Sequence, residues 1–286
     1  MMDNETSIQQ YIIGGLYLLM SGAGFVGNGI CCATLIIKKL HQKNSAYFFM
    51  ANQCVADILC LLGVGMYVGL VLIFGQMPNI HRIMSMCFQV GWWTSGYFSI
   101  GLATTRLFSL KYNEQYLQET YFFAVVTWLC PFFLSFTFAL HPTPINGVFR
   151  DKFTTGIFVT DTMSRILFCF NFLHDFVVSN AILVINTLTG LFVRKVSVQV
   201  ASSLQHTQTR SLEIKLFAQC LTTTSILMVI CYIYCVVYFV GYTLDVIEFF
   251  IFHFGWILYH SICPFVYLMT NGELRNLVKQ ILSSTE

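Results

Sequence analysis

Charged residues are scarce in this chain. Asp, Glu, Lys and Arg make up only 10% of its 286 residues, whereas an average water-soluble domain carries about 25%. Hydrophobic residues reach 56%, and the mean hydropathy is +0.70. A surface with so few charges is poorly suited to water, so we expect most of it to face lipid. The net charge of +2 gives no reason to expect a nucleic-acid partner.

Motifs of catalysis and cofactor binding are missing as well. The sequence holds no GxSxG, HExxH or GxGxxG motif and no P-loop, so we expect neither an enzyme nor a cofactor. None of the eleven cysteines forms a CxxC pair, which argues against a zinc site. No lysine lies between Lys215 and Lys279, and a retinal protein needs a Schiff-base lysine in its last helix.

Long hydrophobic runs predict seven membrane crossings. A helix needs about 20 apolar residues to cross the hydrocarbon core, whereas barrel strands would show alternating segments of about ten residues. Short polar connections separate the runs, so we expect one all-α domain, a seven-transmembrane helix bundle. The predicted spans are Tyr11–Ile37, Ala46–Phe74, Ile83–Leu107, Tyr121–Leu140, Ile166–Val193, Leu216–Gly241 and Phe249–Thr270.

The distribution of basic residues predicts the orientation in the membrane. With the N-terminus outside, 11 of the 15 Lys and Arg residues fall on inner segments, as the positive-inside rule requires. Asn4 begins a glycosylation sequon, which needs the same orientation. We expect residues 1–10 to form an extracellular tail, 11–270 the seven-transmembrane domain, and 271–286 a short amphipathic cytoplasmic helix and tail.

Two polar residues are predicted near the middle of the bilayer. Asp57 lies about 16 Å along the second span, and Asn28 has a matching depth in the first. Ionisable residues inside a membrane are costly and usually functional. The pair is therefore a candidate polar switch centre, hydrogen-bonded across the bundle and able to hold a sodium ion. A structural clamp between helices is the alternative.

Aromatic and histidine side chains cluster in the outer halves of several spans. They predict an apolar ligand pocket between helices, although ordinary packing is the alternative for each residue. His174 and Asp175 either contact the ligand or bond a neighbouring helix, and the same alternatives hold for His253 and His260. The candidate pocket residues are Trp92, Trp93, Tyr97, His174, Tyr234, Tyr238 and Trp256. Gly65 and Gly69 form a GxxxG pair, which favours close helix packing.

A series of short motifs runs through nearly the whole chain. In chain order they are Gly27-Asn28, Ala56-Asp57, Arg106, LKYN at 110–113, Asp175-Phe176 with Asn180, VRK at 193–195, EIKLFAQ at 213–219, Trp256, His260, Pro264, Tyr267, Asn271 and Leu274-Arg275. Their order and spacing resemble nematode seven-transmembrane chemoreceptors of the serpentine receptor class x type.

The resemblance implies a G-protein-coupled receptor that senses a small-molecule or peptide cue. In such a receptor Pro264 interrupts the last helix and serves as a pivot, and Tyr267 swings towards Asp57. Arg106 changes partners as the sixth helix moves and opens a groove for the G protein. We therefore expect a ligand, a heterotrimeric G protein and the bilayer as partners, at the plasma membrane of sensory neurons.

The chain departs from the family's pattern near the end of the third span. Thr105 stands where Asn or Asp usually precedes the arginine. The stretch from Arg106 to Leu110 is short by about one helical turn. We therefore expect the third helix to end early, which puts coupling to a G protein in question.

Two further departures concern cysteines. The outer loop from His141 to Thr162 contains none, whereas family members tether the third helix to that loop. Cys87 is therefore expected to pair with Cys169 or to stay free. Cys263 replaces the polar residue that often precedes Pro264, which removes one expected partner of Asp57.

Two alternatives to a working receptor stay open. A multi-pass transporter or channel subunit would show a repeated half or a polar stripe along facing helices, and the sequence shows too few intramembrane charges for one. A receptor paralogue that has lost coupling at Thr105 and Arg106 is the second alternative.

Overall fold

A computed structural model describes residues 2–42, 44–112, 117–140, 146–150, 154–157, 161–200, 218, 221–233, 235–236 and 245–283. Nearly all of this part of the chain is helical. Six of the seven predicted spans each fall on one long helix, the described part of the sixth span includes the shorter helix α6, and an eighth helix follows. The helices are α1 (Met2–Ile37), α2 (Ser45–Phe74), α3 (Pro78–Tyr112), α4 (Leu117–Ala139), α5 (Thr162–Val200), α6 (Leu221–Ile233), α7 (Val246–Thr270) and α8 (Gly272–Ser283).

Five of the described helices are long and apolar enough to cross a membrane: α1, α2, α4, α5 and α7. Helix α3 has 35 residues, about 52 Å of helix, but a more polar sequence. Its Gln89, Thr94, Ser95 and Ser99 are all buried, so they face the bundle and not the lipid. Because its polar groups point inward, α3 spans the bundle at its centre, packed against α2, α4 and α5.

Several helix ends differ from the sequence predictions. Helix α1 begins at Met2, nine residues before the predicted first span. Helix α3 continues to Tyr112, so the expectation that it ends early was wrong. Helix α4 continues through Pro131. The start of α2 is capped by Asn44, whose side chain accepts a hydrogen bond from the Ala46 amide.

Helix α2 contains a π-helical segment, Leu61–Tyr67, between two α-helical parts. On its α1 side the two helices approach closely. A Cβ at Gly65 would lie 1.7 Å from the Ser21 Oγ, and one at Gly69 would lie 2.8 Å from the Gly14 carbonyl oxygen. No side chain fits in such gaps, so the prediction that the GxxxG pair serves close packing is confirmed.

A short antiparallel hairpin lies in the predicted outer loop between α4 and α5. Strand β1 (Asn146–Phe149) pairs with β2 (Thr154–Ile157). The Val148 carbonyl accepts a hydrogen bond from Gln76, and Arg150 donates to Gln10 and to the Leu72 carbonyl. The hairpin is thereby fixed to the ends of α1 and α2.

Candidate functional site

Asp57 is the centre of a fully buried hydrogen-bond network that joins three helices. Its Oδ1 accepts from His260 Nδ1 of α7 at 2.7 Å, from Ser95 Oγ of α3 at 2.9 Å and from Gln53 Nε2 of α2 at 3.2 Å. Asp57 and His260 are both 0% exposed. Burying a carboxylate is costly unless it is paired, and the imidazole and the two neutral donors provide that pairing. We call Gln53, Asp57, Ser95, Ser99 and His260 the polar centre.

The polar centre extends along α3 to α7. Gln53 Nε2 also donates to Ser95 Oγ, and Ser99 Oγ donates to Gln53 Oε1 at 3.4 Å. Ser99 Oγ lies 3.2 Å from the Tyr259 hydroxyl. The network therefore follows the seam between α2, α3 and α7, and relative movement of any of these helices would change its hydrogen bonds.

Asn28 contacts the polar centre through a different hydrogen bond from the one predicted. Its Nδ2 donates to the backbone carbonyl of His260 at 2.9 Å and to that of Gly24, so the expected hydrogen bond to Asp57 is not formed. In a regular helix the His260 carbonyl would accept from the amide four residues later, which here is Pro264 and has no N–H. Asn28 supplies the missing donor.

The region around Pro264 is packed tightly against α1. A Cβ at Gly27 would lie 3.0 Å from the Pro264 ring, and the Cys31 thiol donates to the Pro264 carbonyl. Tyr267 is buried at 1% exposure, so it already lies inside the bundle. Cys263 takes the place of the expected polar residue, and His260, one turn earlier, bonds Asp57 instead.

A second His–Asp pair lies nearer the end of the bundle that the predicted topology places outside. His174 Nδ1 is 2.9 Å from Asp175 Oδ1, and Trp92 Nε1 donates to the same oxygen at 3.0 Å. Trp93 Nε1 donates to Asn171 Oδ1 at 2.7 Å. Asp175 thus bonds the neighbouring helix α3, which is one of the two predicted alternatives for this pair. The Trp93 bond is a second link between α3 and α5.

Trp92 joins the two His–Asp pairs. Its ring centroid lies 4.7 Å from that of Trp256, 5.8 Å from that of His260 and 6.0 Å from that of His174. The contact with Trp256 is edge-to-face, a favourable geometry for aromatic rings. Tyr97 packs edge-on against His174. One continuous aromatic cluster therefore contains four of the predicted pocket residues: Trp92, Tyr97, His174 and Trp256. Trp93 is not counted in this cluster.

His253 connects the outer hairpin with the π-helical segment of α2. Its Nε2 donates to the Val64 carbonyl at 2.9 Å, and its Nδ1 lies 3.2 Å from the Thr154 hydroxyl. That carbonyl belongs to the π-helical segment. His253 is fully buried, and its two ring nitrogens contact these two elements.

At the other end, α2, α3 and α8 meet around Tyr47. Its hydroxyl donates to Glu273 Oε2 at 2.8 Å and accepts from Asn271 Nδ2 at 3.1 Å. Arg106 is buried at 2% exposure and is close enough to Tyr47 to interact electrostatically. We call this the inner end, following the predicted topology. Asn271 also caps α8 through the Leu274 amide.

The predicted Cys87–Cys169 disulfide is not formed. Both thiols are free, and Cys169 is exposed. Asn171 faces α3, and a residue two positions earlier on a helix points about 200° away. Cys169 therefore faces outward, so the second predicted alternative, a free Cys87, corresponds to the structure.

Some candidate residues fall outside the described part of the chain. They are the pocket residues Tyr234 and Tyr238 and the motif residues 113, 213–217 and 219, together with the side chains of Asn4 and of residues 110–112.

Several contacts of the site were missed from the sequence. Gln53, Ser95 and Ser99 were not singled out, although Gln53 lies one turn before Asp57, and Trp92, Ser95 and Ser99 share one helical face of α3. Asn171 and Tyr47 were missed as well, since single polar residues on separate helices carry no local signal.

The described helices form a bundle of the seven-transmembrane type, and comparison with solved structures agrees on the fold. The crystal structure of squid rhodopsin matches with a TM-score of 0.75 over 98% of this chain and 87% of that one. The identity is 14%, so this likeness shows the fold alone. No curated protein matches the chain.

The family follows from a second comparison. The model of the serpentine type seven-transmembrane G-protein-coupled chemoreceptor family Srt matches residues 1–286, and the chain belongs to that family. The predictions of a seven-helix membrane receptor and of a G-protein-coupled chemoreceptor are confirmed. The family and fold are those of receptors and not of enzymes. The assignment to class x is not confirmed, since the matching class is Srt.

Proposed function

We propose that the receptor binds its cue beside the aromatic cluster of α3, α5 and α7, and that Trp92 passes the effect to the polar centre. One observation carries this proposal: the Trp92 indole bonds Asp175 and also packs against Trp256 and His260. A ligand that displaces Trp92 would disturb the His260–Asp57 bond. The aromatic walls favour an apolar small molecule or short peptide.

The second half of the proposal concerns coupling at the inner end. Asp57 and Arg106 stand at two levels of the bundle, and α3 carries both Ser95 and Arg106. A shift of α3 that follows loss of the Ser95 and His260 bonds would move Arg106 relative to Tyr47 and Glu273. In this mechanism the heterotrimeric G protein binds the conformation in which those inner contacts have changed.

The location of the receptor belongs to the same proposal. The N-terminus lies outside and the C-terminus inside the plasma membrane of nematode sensory neurons. The positive-inside bias of the Lys and Arg residues supports this orientation. Terminal tags stained before and after permeabilisation test it: an exposed N-terminal tag with a hidden C-terminal tag is expected, and both tags on one side would overturn it.

Trp92→Phe tests the proposed signal path. Phe keeps an aromatic ring but removes the N–H that bonds Asp175, a loss of roughly 1.5–3 kcal/mol for a bond to a charged group. If that bond favours one of the two conformations, basal guanine-nucleotide exchange on a co-reconstituted G protein should change by about tenfold or more.

Trp93→Phe is the matched control. It also removes an indole N–H from α3, but Trp93 bonds Asn171 and lies off the path to His260. Trp93→Phe should leave basal exchange near the wild-type level at equal surface abundance. Equal effects of the two variants would contradict the path through Trp92.

A further inference from the structure

A cavity of about 460 Å³ opens between the inner halves of α2, α3 and α4, away from the aromatic cluster. This volume lies within the usual range for small-molecule sites. The residues that shape it are Phe49, Ile100, Thr104, Thr105, Glu119 and Phe123. We call this cavity the inner cleft.

The polar side chains of the inner cleft are concentrated towards the membrane surface. Phe49 and Phe123 lie one turn further into their helices than Ser45 and Glu119, and Ile100 lies one turn deeper than Thr104. The rings of Phe49 and Phe123 meet edge-to-face at 5.7 Å and form an apolar inner wall. Towards the mouth the cleft is lined by hydroxyl groups, one carboxylate and the partly exposed ring of Phe108. This gradient matches an amphiphile with its head at the inner membrane surface.

The charge at the mouth selects among amphiphiles. Glu119 is exposed, and no hydrogen bond or ion pair to another described residue engages its carboxylate. No Lys or Arg is among the described residues that line the cleft. An anionic head group would be repelled there, whereas a protonated amine would be attracted. With the topology proposed above, the negative cytoplasmic leaflet also concentrates cationic amphiphiles at this depth.

We propose that the inner cleft binds a membrane-dissolved lipophilic amine. Its ammonium group pairs with Glu119, and its apolar body lies against Phe49, Ile100 and Phe123. The occupant would also touch Thr105, the residue before Arg106. Such a ligand would act on the segment of α3 that carries the coupling arginine, apart from the cue site near Trp92.

Photolabelling of the full-length receptor in phosphatidylcholine vesicles tests the site. The probe is dodecylamine carrying a diazirine, and labelled peptides are mapped by mass spectrometry. We expect labelling at the inner ends of α3 and α4. Glu119→Gln keeps the shape but removes the charge, so it should lower that labelling about fivefold, as loss of a single ion pair predicts.

Two controls make the result specific. Glu248→Gln makes the same chemical change in the first turn of α7, where Gln still suits the capping box, and should leave labelling unchanged. The matching diazirine alcohol, which lacks the charge, should label the cleft weakly in the wild type and respond little to Glu119→Gln. Thr104→Leu fills the cleft and should reduce amine labelling even where the charge is intact.

Three outcomes would overturn the proposal. The first is equal labelling by amine and alcohol, which would mean that the head group is not recognised. The second is labelling spread over lipid-exposed faces such as that of α5, which would mean ordinary lipid solvation. The third is unchanged labelling in Glu119→Gln. Since labelling needs neither a cue nor a G protein, these outcomes are independent of the proposed signalling function.

Discussion

The two buried His–Asp pairs have the same chemistry but are built differently. Asp175 and His174 are neighbours on α5, so their pairing needs no contact between helices. Asp57 and His260 lie on α2 and α7, 203 residues apart, and a third helix adds Ser95. The His174–Asp175 pair can therefore stay bonded when helices move, whereas the His260–Asp57 pair cannot. A conformational signal is better detected by the His260–Asp57 pair.

Replacing the histidine of each pair should give the largest difference in stability between the two pairs. His260→Leu leaves the Asp57 carboxylate fully buried without its closest hydrogen-bond partner, and removing one partner of a buried pair typically costs about 3–5 kcal/mol. His174→Leu should cost about 1–2 kcal/mol, because Asp175 keeps the Trp92 N–H and lies nearer the outer surface. Thermal unfolding followed with a thiol-reactive dye would report both, since many of the cysteines are buried.

Equal destabilisation by the two variants would contradict this comparison. It would mean that the number of helices joined does not matter to the stability of either pair. Surface abundance should follow the same order, with His260→Leu the lower.

A smaller effect on stability is expected at Asn28, which bonds the backbone carbonyl of His260. Asn28→Ala leaves the His260 carbonyl without a donor, which should cost about 1–3 kcal/mol. Pro264→Ala returns a backbone N–H to that carbonyl. Asn28→Ala should therefore cost less in the Pro264→Ala background, by about 1 kcal/mol or more in a double-mutant cycle. Additive costs would show that Asn28 does not compensate for the proline.

The smallest effect is expected at the two cysteines outside both pairs. Cys87→Ser and Cys169→Ser should each change the free energy of unfolding by less than about 0.5 kcal/mol, because neither thiol is bonded to the other. A digest without reduction should show both thiols alkylated. A disulfide-linked peptide would contradict the structure at this point.

Most of the helical fold could be predicted from the sequence. Hydrophobic length decides where a helix crosses lipid, and the described residues of all seven predicted spans lie on helices. Helix α3 was found in spite of its polar residues because the apolar remainder is still long. The hairpin at 146–157 gave no such signal, because its strands are only four residues each and are held by contacts to α1, α2 and α7.

It was harder to predict which residues of the site bond each other than to predict which residues belong to it. Asn28 and Asp57 were correctly matched in depth, but depth does not fix which face of a helix meets which neighbour. Both residues in fact meet at His260, one at its backbone and the other at its ring. The Gln53–Asp57 contact was within reach, since four residues on a helix share a face. The disulfide prediction failed for a related reason, because the direction of Cys169 depends on the rotation of α5.

The π-helical segment of α2 sets the rotational phase between the two halves of that helix. The α-helical part before the segment directs Asp57 towards α3 and α7. Gly65, inside the segment, and Gly69, after it, face α1. One residue corresponds to about 100° of rotation in an α-helix. Because a π-helical turn takes in one extra residue, deleting one residue from Leu61–Tyr67 would return the segment to α-helix and keep Gly69 turned towards α1 while Asp57 kept its place. A residue inserted into an α-helical part of α2 between Asp57 and Gly69 would instead turn Gly69 away from α1 unless a second change restored the phase.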